Sequence, residues 1–523
     1  MPKKIFLIGI GGTGMRCLEA FVHTCAVGMY DDTEVNMLAL DTDEHNGNFR
    51  RLRDVVDSYN SINGGTSNDI RSNTFFSAKI NYNEFSPGYS TARDTGTFSA
   101  IADYATAASH NDPARDVMDL FMDPDVMNMN LEHGYRAQTQ MGSMLMYHAI
   151  IKGAYEARYN RTSAARNDLK NFLSELNASR NAPVFIFGSV FGGTGASSIP
   201  ILPLAFKRAA SILFDSNVDL VANNYFGTII LTNYFKFDIN STSEKVVAKS
   251  ENFAINSQAA LMFYDGDNTV QQTYRKMYLL GRSETESRDV LKAAGSTSQG
   301  STGGEKQENP ADYIELIAAM AAYDFFREAG KDNPFGPGSK KFSCISHNYG
   351  NAKLDFPLFA QNDSAVLMKK MGLFYATSLL NLTTDFFYNI ATDRANPFRN
   401  INVDGEAFKK IEHYLGLFSF SVEKDGRLVR GWLPQMYESR GGEGILFAQN
   451  AFECQDIKSL KRMHIEKEVF AGDNPPKFSV PIFRNAFDIV KNTFNEIQDP
   501  NRNNIQDMMR ITYATLNKLY FNE

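Results

Sequence analysis

Two glycine clusters, each set between an apolar run and a helical pattern, constrain this chain more than any other feature. The first, Gly9-Ile10-Gly11-Gly12-Thr13-Gly14, ends the apolar run 4–8 and opens onto helical spacing over residues 16–29, with Cys17, Leu18, Phe21, Val22 and Cys25 on one stripe. The second, Phe191-Gly192-Gly193-Thr194-Gly195, lies between the apolar run 184–188 and a helix expected over 199–213. Short apolar strands alternating with helices build parallel sheets, because each parallel pair needs a crossover connection. At such a strand-to-helix junction the backbone N–H groups and the helix N-terminus hold phosphate oxygens, and a β-carbon would block the ligand's approach. Each cluster has a second reading, as a tight turn that packing alone requires.

The alternation continues along the chain. A strand over 35–40 ends in Asp41, the placement of the acid that holds a ribose in dinucleotide folds. Helix 140–159, strand 225–231, helix 252–264 and strand 277–281 follow, and Asn309-Pro310 opens a long apolar helix from Ala311 to about Phe326, with Asn309 as its cap. This predicts an α/β, Rossmann-like parallel-sheet domain over 1–330 with a polar insertion at 44–133 and a central helix at about 310–328. A second α+β domain is expected over 331–480, with a helix at 367–380 and strands at 415–422 and 427–432, and C-terminal helices over 481–523 that pack back on the body or meet a partner. The stretch 295–307, rich in Gly, Ser and Thr, reads as a loop.

Composition excludes several classes. The 523 residues suffice for more than one domain, and four cysteines without close spacing give neither a disulfide framework nor a zinc module. A reducing, cytoplasmic setting follows as the expectation. With 53 Lys plus Arg against 60 Asp plus Glu, the net charge of −7 disfavours a broad nucleic-acid face. The apolar helix from Tyr313 is interrupted by Glu315 and Asp324 before the ~20 residues a membrane span needs. The eight histidines show no metal-ligand spacing. Two glycine loops exceed what a single dinucleotide fold requires. Together they could surround a triphosphate, with the Thr194 hydroxyl available to a phosphate oxygen or a magnesium-bound water.

Four segments taken in order resemble tubulin and its bacterial relative FtsZ: residues 9–14, Ala39-Leu40-Asp41-Thr42-Asp43, Gly134 to Gly142 opening a helix, and 192–195. The resemblance covers roughly the first 360 residues. It implies GTP or GDP with Mg2+ as cofactors and head-to-tail self-association into filaments, each nucleotide lying at a subunit contact. Gly9, Gly11, Gly12, Thr13 and Gly14 would line the phosphates, with Gly192, Gly193, Thr194 and Gly195 opposite. Asp41, Thr42 and Asp43 would lie beside the nucleotide or its metal. Residues 134–142, with Arg136 as a cation, would wrap the terminal phosphate; an Arg136–carboxylate ion pair is the other reading. Asn309 would read the guanine edge, with Asn256 a second candidate, and a plain cap is the alternative for Asn309.

The chain also departs from the pattern. Phe191 stands where the second glycine segment has its first glycine, and Ala196-Ser197 replace a small hydroxyl residue and a glycine. GTP hydrolysis in the family takes acids from a loop after the central helix, and the counterpart here, 351–357, offers Asp355. Two alternatives to a polymerising GTPase therefore stand: a nucleotide-gated scaffold or sensor with little hydrolysis, recruiting a protein partner through the insertion or C-terminal helices, and a Rossmann-type oxidoreductase.

Overall fold

The computed structural model describes residues 2–63, 73–89, 95–103, 113–131, 134–159, 164–215, 218–236, 249–282, 288–289, 309–336, 341–346, 361–388, 405–439, 452, 454–461 and 505–521. Asp355 and the 295–307 stretch lie outside them.

The strands are β1 (Lys4–Ile10), β2 (Glu34–Leu40), β3 (Lys79–Phe85), β4 (Pro183–Ser189), β5 (Tyr225–Leu231), β6 (Phe235–Lys236), β7 (Tyr274–Gly281), β8 (Arg288–Asp289), β9 (Phe342–Ser346), β10 (Phe420–Val422) and β11 (Leu428–Arg430). Among the described residues, seven of them form one all-parallel sheet in the order β3-β2-β1-β4-β5-β7-β9. β10 and β11 make a small antiparallel hairpin, and β6 pairs with β8. The fold is α/β, as its strand–helix alternation predicts.

Period-2 alternation divides the central strands between two apolar cores. Ile5, Leu7, Val35, Met37, Phe185, Phe187 and Ile229 point to one face, and Phe6, Ile8, Leu38, Val184, Ile186 and Ile230 to the other. Strands buried on both faces read as continuous apolar runs, which is why they stand out in the sequence. On the first face lie α1 (Gly11–Ala26) and α2 (Gly47–Asn63). On the second lie α3 (Thr139–Tyr159), α4 (Ala164–Ala178) and α6 (Leu202–Phe214), the last preceded by the short α5 (Gly193–Ser198). Beyond α7 (Phe253–Gly266), the central helix α8 (Tyr313–Ala329) runs on the first face against α1, β4, β5 and β7.

The C-terminal elements α9 (Gln361–Thr384), α10 (Gly405–Phe418), α11 (Trp432–Glu438) and α12 (Ile505–Phe521) join that same first core. Phe374, Tyr414, Trp432 and Met508 pack into one cluster with Phe21 and Tyr30. α12 packs back on α9 and α2. Residues 44–133, expected as an insertion, supply α2 and the edge strand β3, and the segment expected to begin a second domain supplies β9.

Two local expectations are corrected. The apolar run from Leu415, predicted as strand to 422, is the end of α10; Phe408, Ile411, Tyr414, Leu415 and Phe418 are buried at helical spacing, and extended structure begins only at Phe420. Asn309 does not cap the central helix. Asp312 does, through a reciprocal capping box with Glu315, a stronger N-terminal signal three residues further on. Among the described residues no helix is long and apolar enough to cross a membrane.

Candidate functional site

β1 and β4 are neighbours, yet the helix after β1 lies on one face of the sheet and the helices after β4 on the other. The carboxyl ends of two such strands bound a crevice, the general ligand position in open α/β sheets. Both glycine clusters follow these two strands, so the topology brings them face to face. A β-carbon on Gly11 would lie 3.6 Å from the Thr194 Cβ, and one on Gly134 would lie 3.2 Å from the Thr42 Oγ1. The Thr42 and Thr194 hydroxyls are 3.5 Å apart. Four segments that are distant in sequence thus meet at one point.

The crevice is an open cleft with about 130 Å3 of interior space, below the ~300–1,000 Å3 of pockets that enclose a whole small molecule. Gly11, Gly12, Thr13, Asp41, Asp43, Gly134, Arg136, Gly192, Gly193, Thr194 and Gly195, all candidates from the sequence, line it. Thr42 is buried at its edge through the Thr194 contact. Gly9 and Gly14 instead pack against each other beneath the floor, where a β-carbon on Gly14 would come 2.6 Å from the Gly9 carbonyl carbon. Gly142 packs under the Tyr135 ring and Ser197. Asn256 donates to the Phe191 carbonyl at 3.3 Å, and the Asn309 carbonyl accepts from Arg51 at 3.2 Å; neither lines the cleft.

The local chemistry favours an anion at the loop end. α1 begins at Gly11 with no side chain capping its first N–H groups and no acid in its first turn, leaving the donors of a helix N-terminus to a ligand. Gly11 has φ +67°. Arg136 and Ala137, at φ +45° and +65°, hold two successive left-handed conformations that cost a non-glycine residue energy and fold the 134–137 loop over Gly193. Opposite, Asp41 is buried, accepting from the Thr42 N–H at 2.7 Å and the Asn46 Nδ2 at 3.0 Å. Burial, and then the charge of Asp43, push its carboxyl up to about 7 despite those bonds.

The other end of the cleft holds residues that sequence reasoning missed. Arg16, one turn beyond Gly12 on the same face of α1, lines it and is 3% exposed. Its Nε donates to Glu315 at 2.5 Å and its Nη2 to the Tyr234 hydroxyl at 2.7 Å, and its guanidinium lies 5.3 Å from the centre of the Phe235 ring. Burial alone would lower its pKa, but Tyr234 and Glu315 more than reverse that and hold it charged. Phe191, Phe235 and Phe253 form an aromatic wall, with Phe191 4.7 Å from Phe253. The i+4 spacing from Gly12 was the available signal for Arg16; nothing local marks Phe235, which lies in β6 just after β5, or Phe253, which begins α7. Among the described residues no group of three or more His, Cys, Asp or Glu is placed to hold a metal ion.

No family model and no curated protein matches this chain. Among solved structures it is similar to CetZ from Methanosaeta thermophila strain DSM 6194, at 11% identity and a TM-score of 0.27, over 64% of this chain and 57% of that one. The match thus spans less than two thirds of either chain.

Proposed function

We propose that this chain is a tubulin/FtsZ-like protein that binds GTP or GDP with Mg2+ in the cleft at the β1/β4 crossing and self-associates head to tail, GTP hydrolysis being completed at the subunit contact. The observation that carries the reading is the convergence of residues 11–13, 41–43, 134–137 and 192–195, far apart in sequence, on one cleft. The cradle fits a phosphate chain: it offers an uncapped helix N-terminus, close-packed glycines, two threonine hydroxyls and the Arg136 and Arg16 guanidiniums. Asp41 and Asp43 would hold Mg2+ jointly with oxygens that the nucleotide brings. When bound, the nucleotide would supply a phosphoanhydride bond and the ion would offset the charge of its phosphates. The chain's own part is to grip and orient those phosphates. By the resemblance, Asp355 of a neighbouring subunit would orient the attacking water.

A second reading, a nucleotide-gated scaffold with little turnover, is favoured by Phe191, whose ring is built into the aromatic wall where the family pattern has a glycine. One experiment separates the two. GTP hydrolysis is measured against protein concentration with light scattering in the same samples and ATP as control. A rate per subunit that rises with scattering above a threshold supports the polymerising GTPase, and saturable GTP binding with flat turnover supports the scaffold. Absence of GTP binding overturns both, and preferential binding of NADH would favour the oxidoreductase.

A further inference from the structure

Arg16 belongs to the cleft wall and to the N-terminus of the central helix at once. Its Nε and Nη2 are committed to Glu315, Tyr234 and Thr13, and Nη1 makes none of these bonds. Glu315 uses its second oxygen, Oε2, to accept the Asp312 N–H at 2.9 Å, closing the capping box of α8. The next link is held from the C-terminal part of the chain. The Ala311 N–H donates to the Gln435 Oε1 at 3.0 Å and the Tyr313 N–H to the Ser439 Oγ at 2.8 Å. Both acceptors belong to α11 and its C-cap, the helix that begins with Trp432. Trp432 is the single tryptophan of the chain; it is buried, with its ring 4.7 Å from His23 and 5.8 Å from Phe418.

We propose that Arg16 is the positioning residue through which cleft occupancy is sensed, an anionic ligand competing with Glu315 for its guanidinium and so shifting the N-terminus of α8 and, through Gln435 and Ser439, helix α11. This rests on the reading of the cleft as a nucleotide site. The competition follows from charge: Glu315 and a second anion share one buried positive charge, and the two anions repel each other across the same guanidinium. The transmission follows from connectivity, since one carboxylate serves both Arg16 and the helix cap, and the cap's neighbours have α11 side chains as acceptors. A ligand shifts such an equilibrium only by its differential interaction with the two arrangements, and Arg16 is where that difference arises.

The test uses the full chain with Mg-GTP and Mg-GDP, reading affinity by calorimetry and conformation by Trp432 emission. Wild type is expected to show a saturable emission change on binding. Glu315→Gln, which keeps the shape and removes the competing charge, is expected to bind roughly tenfold tighter or more with a diminished emission change; unchanged or weaker binding overturns the competition. Ser439→Ala and Gln435→Ala, remote from the cleft, are expected to keep wild-type affinity within about threefold and lose most of the emission change. These two carry the test if Glu315→Gln fails to fold, and an undiminished emission change in both overturns the relay. Saturable GTP binding by wild type without an emission change overturns this inference alone, whereas no GTP binding overturns the nucleotide reading beneath it.

Discussion

Gly193 lies directly beneath the peptide that joins Arg136 to Ala137: a β-carbon on it would come 2.8 Å from the Ala137 nitrogen and 3.0 Å from the Arg136 nitrogen. The contact is with backbone, so the neighbour cannot swing away as a flexible side chain would. Gly193→Ala therefore has to displace the 134–137 loop, which already holds two left-handed non-glycine residues. A displacement of about 1 Å at a positioning loop can cost on the order of 100-fold. The expected outcome is GTP affinity reduced at least tenfold, measured by calorimetry, with a thermal midpoint close to wild type. Unchanged affinity would separate this loop from the ligand.

The cap of the central helix supplies a second prediction. Asp312 accepts from the Ile314 N–H at 2.9 Å and is bonded by Arg282 at 2.9 Å, and both Asp312 and Arg282 are buried. Asp312→Ala removes the cap and one ion-pair partner of the buried Arg282, a loss of about 2 kcal/mol or more. The Asn309 hydrogen bond to Arg51 uses only its backbone carbonyl, so Asn309→Ala should lie within about 0.5 kcal/mol of wild type. Urea denaturation of the two variants checks the contrast, and equal losses would refute it.

His23 makes stability depend on pH. It is buried on α1, its Nδ1 3.0 Å from the Tyr414 hydroxyl on α10 and its Nε2 3.8 Å from the Glu19 Oε1, the same oxygen that Arg51 of α2 holds at 2.8 Å. Burial lowers its pKa below 6.5, against the pull of Glu19. The unfolded chain then binds the proton more readily, so the full stability is present above about pH 6.5 and falls as pH drops toward the folded value. Glu19 contributes a separate loss at lower pH: burial would raise its pKa, but Arg51 and His23 outweigh burial and leave it below 4.5. His23→Gln should flatten the urea midpoint between pH 7 and about 5 and leave the loss below that range. An unchanged slope between pH 7 and 5 would assign it to other groups.

How much of this could be read in the sequence follows from which interactions are local. The strands and glycine junctions of the first half were legible because a strand buried on both faces is apolar at every position, and a strand running into glycines and a helix has few alternatives. α1 was legible as a helix but not in its burial. Arg16, Glu19 and His23 are nearly as hidden as Phe21, because α2, α8 and the C-terminal helices cover faces that an amphipathic reading leaves to water. β3 escaped because Lys79–Phe85 sets Asn81, Asn83 and Glu84 among Ile80, Tyr82 and Phe85 on an edge, and its place depends on register with β2, from Glu34↔Lys79 to Leu40↔Phe85. Of the cleft, the phosphate-type loops carry their signal in glycine spacing. The aromatic wall beyond Phe191 carries none, since Phe235 of β6 and Phe253 of α7 meet that ring only in the folded chain.

A head-to-tail arrangement makes a prediction that no single-subunit mechanism shares. If Asp355 acts on the nucleotide of the next subunit, Asp355→Ala should bind GTP normally and turn over poorly, and Gly193→Ala should bind poorly while still presenting its acid. At GTP concentrations below saturation for wild type, neither variant alone is expected to hydrolyse GTP above about a tenth of the wild-type rate. Mixed in equal amounts, roughly a quarter of heterologous contacts would pair an intact cleft with an intact acid, and phosphate release should recover toward that fraction as total concentration rises. The measurement is steady-state phosphate release across a mixing series. Recovery in the mixture requires two chains to complete one site, whereas turnover equal to the sum of the separate variants would place every catalytic group within one subunit and exclude Asp355 as an acid supplied by a neighbour.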